Sequence, residues 1–103
     1  MQNVDLVKAF LRAQNLEQLG RIDEAIALYE TAVTERFDAT GPYDRLISLY
    51  SNQARHRDVE RVASSALDNV HTHEQKREWY AHMRSAASEA ARDVPQAAPK
   101  RRP

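Results

Sequence analysis

The chain has 103 residues, 15 Lys and Arg against 15 Asp and Glu, and no cysteine; this suits one compact domain and excludes a disulfide scaffold or a thiolate metal site. Sixteen residues are alanine and only 20 are Leu, Ile, Val or Phe, a thin supply for a core, but the zero formal net charge removes the repulsion that usually accompanies disorder. No apolar run is long enough to span a bilayer and the N-terminus lacks the basic-then-apolar layout of a secretory signal, so a soluble, cytoplasmic protein is expected.

An alanine-rich chain with two Gly and four Pro reads as packed helices. From Asn3 to Arg92 apolar residues recur three and four apart, with no run of period two. The spacing predicts a first helix over 3–19, ended by Gly20, and a second over 22–35. After the break Phe37-Asp38-Ala39-Thr40-Gly41-Pro42, a third helix is predicted over 41–53, with Thr40 as its cap and Pro42 in its first turn. A further break at Ala54 to Arg57 leads into a fourth helix over 56–70. Its residues Val59, Val62, Ala63, Ala66, Leu67 and Val70 form a stripe at i, i+3, i+4, i+7, i+8 and i+11. Thr72-His73-Glu74-Gln75 has the form of a capping box and places the start of a fifth helix at 73, running to 92. Residues 93–103 hold three of the four prolines and the run Lys100-Arg101-Arg102. They are expected to form a disordered, basic tail.

The first four helices superpose on themselves at a shift of 34 residues. Ala9 falls on Tyr43, Ala13 on Ile47, Leu16 on Tyr50, Gly20 on Ala54, Ala25 on Val59, Leu28 on Val62, Ala32 on Ala66 and Val33 on Leu67. With Gly20 to Val33 as a second helix and Pro42 to Tyr50 as a first, the pattern resembles the tetratricopeptide repeat (TPR) family. The resemblance implies an all-α fold of stacked helical hairpins over residues 1–92: repeat one about 6–39, repeat two about 40–73, and a capping helix about 73–92. Arg12, Ala54, Phe37 and His71 depart from the family pattern. Arg84 stands in the place of Leu16 and Tyr50, so the fifth helix reads as a cap and not as a third repeat. Its Trp79, Tyr80 and Met83 are expected to seal the array, while Ala13, Ala25 and Ala32 allow close helix approach.

The same resemblance implies a concave groove, lined by the first helix of each unit, that receives a peptide or helix of a partner protein. Its positions carry across as Val7, Phe10, Gln14, Glu17 and Gln18 in unit one, Asp44, Ser48, Ser51 and Asn52 in unit two, and Glu78, His82 and Ser85 in the cap. One subgroup of the family clamps the C-terminal carboxylate of heat-shock chaperones. The corresponding positions here are Phe10, Gln14, Arg45, Gln75 and Trp79; Arg45 alone could pair with a carboxylate, and a lone arginine does not make that clamp. A homodimerising helical domain is the alternative, because so short an array leaves an apolar edge uncovered.

Other chemistries find little footing. His71, His73 and Glu74, or Glu74, Glu78 and His82 at i, i+4, i+8, have a spacing permissive for a metal but unspecific, and none is expected. There is no cysteine nucleophile, no serine in a Gly-flanked elbow and no glycine-rich phosphate loop, so neither catalysis nor a cofactor is expected. Three charges in a tail without aromatic platforms give at most weak nucleic-acid attachment.

Overall fold

The computed structural model describes residues 3–93. Among them are five α-helices and no strand: α1 (Asn3–Gln18), α2 (Ile22–Thr34), α3 (Thr40–Asn52), α4 (His56–Asn69) and α5 (Lys76–Asp93). Each helix packs on the next along the chain, and α2 also touches α4. The architecture is therefore two stacked helical hairpins, α1/α2 and α3/α4, with α5 laid against α4. Asp93, expected to open the tail, is the last residue of α5; the remaining expected tail residues lie outside those described.

The internal repetition is visible in the backbone. α1 ends at Gln18 and α3 at Asn52; α2 begins at Ile22 and α4 at His56, each pair 34 residues apart. Gly20 (φ 79°) and Ala54 (φ 56°) hold the left-handed conformation just past α1 and α3. The next residues, Arg21 (φ −88°, ψ 68°) and Arg55 (φ −90°, ψ 71°), repeat one geometry. Both turns carry the paired closing bonds of a Schellman motif: Gly20 N–H to Glu17 O (3.0 Å) with Arg21 N–H to Leu16 O (2.9 Å), and Ala54 N–H to Ser51 O (3.1 Å) with Arg55 N–H to Tyr50 O (2.9 Å). Even the surface pairs recur, Arg21 Nε donating to Glu24 at 2.7 Å and Arg55 Nε to Asp58 at 3.0 Å. The end of α2 uses the same motif with Arg36 at φ 58°, its N–H reaching Val33 O while that of Phe37 reaches Ala32 O, both at 3.0 Å.

Two expected helix starts are placed differently. Thr40 is the first residue of α3 and Ala39 occupies the cap without a side-chain bond, so Pro42 sits inside the first turn, where its missing N–H is no loss. The capping box at Thr72 does not form. Thr72 Oγ1 turns instead to Asp38 (3.3 Å), which also accepts the His71 N–H (2.8 Å), and α5 starts at Lys76. Asp38 thereby ties the α2–α3 connection to the α4–α5 connection, and those bonds hold its carboxyl below the usual carboxylate range. α4 has no left-handed cap; Arg77 of α5 donates to its Leu67 carbonyl at 2.8 Å.

The core runs through both hairpins. Ala13, Ala25, Ala32, Val59, Val62, Ala63, Ala66 and Val70 are buried, as their spacing predicts. At the cap the neighbours Trp79 and Tyr80 divide their roles. Tyr80 is 1% exposed and Trp79 37% exposed, so the seal is made by Tyr80, Ala87 and Ala91, with Met83 packed alongside.

Candidate functional site

All four tyrosines are buried side chains whose hydroxyls need a partner. Tyr43 donates to the Phe37 carbonyl at 2.8 Å. The other three each end on a carboxylate that is also held by a cation. Tyr29 of α2 donates to Glu17 of α1 at 2.7 Å, and Arg45 of α3 grips that carboxylate through Nε (3.0 Å) and Nη2. Tyr50 of α3 donates to Glu30 of α2, which receives both terminal nitrogens of Arg61 of α4 (3.0 and 2.6 Å). Tyr80 of α5 donates to Asp44 of α3 at 2.8 Å, and Lys76 stands 3.2 Å from the other oxygen. Each set stitches helices across the stack, the first two joining three consecutive helices.

The electrostatics follow from these contacts. Bonding to Arg45 lowers the Glu17 carboxyl below its ordinary range, against the opposing effect of burial. Burial, then hydrogen bonding to a carboxylate, raises the phenols of Tyr29 and Tyr80 and pushes that of Tyr50 up to about 12. Arg61 is raised chiefly by its bonds to Glu30.

The face formed by α1, α3 and α5 carries two depressions. One, of about 240 Å³, lies between α1 and α3 and is lined by Gln14, Glu17, Gln18 and Arg45. The other, an open trough of about 440 Å³, lies between α3 and α5 and is lined by Asp44, Ile47, Ser48, Ser51, Asn52, Lys76, Trp79 and Met83. A crevice of about 190 Å³, sharing Ser51 and Met83, continues the trough past His56 and Val59 to Ala86, Ala87 and Ala90.

The expected groove residues separate against this geometry. Gln14, Glu17, Gln18 and Arg45 come together, as do Asp44, Ser48, Ser51 and Asn52. Glu17, Arg45 and Asp44, however, are committed to pairs within the fold. The expected apolar end is split. Val7 is 45% exposed on the outer side of α1 with Val4 and Leu11, whereas Phe10 turns inward, its ring 5.8 Å from that of Tyr29. A Cβ built on Gly41 would lie 2.6 Å from the Phe10 ring, so the absence of a side chain there lets α3 approach α1. On α5 the trough receives Trp79 and Met83, one residue along from the expected Glu78 and His82. Glu78 lies in a separate hollow with Leu67, Asp68, Arg77 and Arg84, and His82 and Ser85 are exposed. The cause is that the 34-residue period ends at α4, which has 14 residues against 13 in α2 and is followed by a longer connection.

Among the described residues no three or more His, Asp and Glu side chains are grouped to hold a metal ion, and no helix is long and apolar enough to cross a membrane. His73 Nδ1 meets Thr72 Oγ1 at 3.1 Å. The basic run Lys100-Arg101-Arg102 lies outside the described residues. The tyrosine–carboxylate–cation sets escaped sequence reasoning; the signal open to it was the demand of each core tyrosine for a polar partner. Compared with known proteins, the chain matches no protein-family profile, no curated protein and no solved structure.

Proposed function

We propose that the chain is a non-catalytic protein-interaction module of the tetratricopeptide kind, working in the cytoplasm, whose α1/α3/α5 face receives a peptide of a partner protein. One observation carries the reading: the charged residues lining that face are held in pairs within the fold, Glu17 with Arg45 and Asp44 with Lys76, yet a trough remains there in which Trp79 is 37% exposed beside Ser48, Ser51 and Asn52. Half-exposed aromatic area rimmed by unengaged hydrogen-bonding groups is the usual make-up of a binding hot spot. The test is affinity capture with the full chain, comparing Ser48→Arg, which fills the trough, with Ala27→Arg on the exposed side of α2. Partners lost with the first and kept with the second support the reading; the same partners in both contradict it.

A second reading, pairing of two copies through α1, is favoured by a specific observation. Val4, Val7 and Leu11 are 59, 45 and 53% exposed at i, i+3 and i+7. The residues 34 positions after Val7 and Leu11, Gly41 and Arg45, meet α1 at Phe10 and Glu17. The outer side of α1 is thus a stacking surface without a neighbour among the described residues. Sedimentation of the full chain at micromolar concentration tests it: a dimer that Leu11→Glu dissociates supports pairing, and a monomer of 11.8 kDa removes it.

A further inference from the structure

The two depressions on the α1/α3/α5 face differ in what their walls hold. Between α1 and α3 the lining is polar, and its charged pair, Glu17 and Arg45, is mutually engaged. Between α3 and α5 one wall is apolar. Trp79, Met83, Ala86 and Ala90 follow one another at i, i+4, i+7 and i+11 along α5, a stripe about 16 Å long at the helical rise. The facing wall, α3, presents Ser48, Ser51 and Asn52 at i, i+3 and i+4, whose side chains bond to nothing among the described residues.

Charge decides what such a trough accepts. Asp44 and Lys76 are 3.2 Å apart, Tyr80 occupies the other oxygen of Asp44, and the Lys76 ammonium stands 4.1 Å from the centre of the Trp79 ring. A charged side chain entering here would lose water without gaining a counter-ion, whereas an apolar one meets indole, thioether and methyl groups. The free hydroxyls and amide on α3 decide the backbone conformation. They need unpaired N–H and C=O groups, which an extended segment offers and a helix, having bonded its own, does not.

We infer that the α3/α5 trough is an anchor site for an uncharged, extended peptide segment of a partner protein. One bulky apolar side chain seats against Trp79 and Met83, and Ser48, Ser51 and Asn52 bond the peptide backbone. The inference rests on the interaction-module reading and adds the chemistry of the partner.

The experiment selects binders to the full chain from a library of random octapeptides capped by acetyl and amide groups. Each selected peptide is then titrated while the fluorescence of Trp79, the single tryptophan of the chain, is followed. Selected peptides are expected to share a Leu, Ile, Met, Phe or Trp flanked by uncharged residues and to shift the Trp79 emission. Met83→Ala should weaken them about tenfold. Asn52→Ala, at an exposed position outside the core, should weaken them about fivefold, and Gln18→Ala in the other depression by less than twofold. Charged consensus peptides, or unchanged affinity in both Met83→Ala and Asn52→Ala, overturn the anchor site while leaving the interaction module standing. A library that yields no binder overturns both.

Discussion

Three helix ends use one turn, but only Gly20 suits it. Gly20, Arg36 and Ala54 all lie at positive φ (79°, 58° and 56°), a region that costs a residue with a Cβ about 1–2 kcal/mol. Ala54→Gly should remove that cost and return part of it through the greater freedom of glycine in the unfolded chain, about 0.5–1 kcal/mol. The net expectation is a stabilisation of about 0.5–1 kcal/mol. Arg36→Gly should behave alike, since Arg36 is exposed at the same place in its motif. Gly20→Ala supplies the reverse experiment: a Cβ there meets nothing within 4 Å, so the loss of about 0.5–1 kcal/mol reports backbone conformation without a packing contribution. Thermal melts followed by far-ultraviolet circular dichroism should resolve each change as a few degrees in Tm. Opposite signs at positions 20 and 54, related by the repeat, are the signature of one turn used twice. A lower Tm for Ala54→Gly, or an unchanged one for Gly20→Ala, refutes the assignment.

Tyr50→Phe should cost about 1–2 kcal/mol in urea unfolding, because Glu30 keeps Arg61 but loses the phenol; a neutral result means the hydroxyl contributes nothing to the stack. The depressed carboxyls of Glu17 and Asp38 stabilise the fold above their unfolded pKa of about 4 and lose that contribution as pH falls through their lower folded values. The raised phenols act in the opposite sense: Tyr50, pushed up to about 12, stabilises the fold below the unfolded value of about 10 and loses that contribution as pH rises toward 12. Tyrosine absorbance and helicity should therefore change together in alkali, and phenolate forming in a still-helical protein contradicts the burial. Truncation after Val70 removes Tyr80, Ala87 and Ala91 from the face of α4; the product should be unfolded or self-associated by sedimentation and circular dichroism, and a folded monomer would show the cap to be dispensable.

The two hairpins were legible because each stripe repeats at helical spacing and Gly20 marks a turn that a single residue type favours. The stripe of α4 is buried along its whole length, with Leu67 at its margin. Periodicity fixes a helix face only to within one residue, and this is where α5 diverged. Trp79 and Tyr80 are adjacent, and the choice between them was settled by Asp44, 36 residues away, which bonds the Tyr80 hydroxyl. Long-range partners also explain Thr72, whose hydroxyl serves Asp38 and not its own helix. The expected groove residues show the same limit: the family resemblance placed Glu17, Asp44 and Arg45 on the α1/α3/α5 face, where they do lie, but only their cross-helix partners show that their charges are already used. Arg36 offered no signal at all, since nothing in an arginine announces a left-handed backbone.

The most direct measurement is a nitrogen-edited NMR titration of the full chain with a peptide from the capped library. The account predicts shifts at the Trp79 indole and at the amides of Ser48, Ser51 and Asn52, with the exposed α2 and α4 residues Ala27 and Arg57 unmoved. Shifts gathered on α2 and α4, with Trp79 silent, would contradict it.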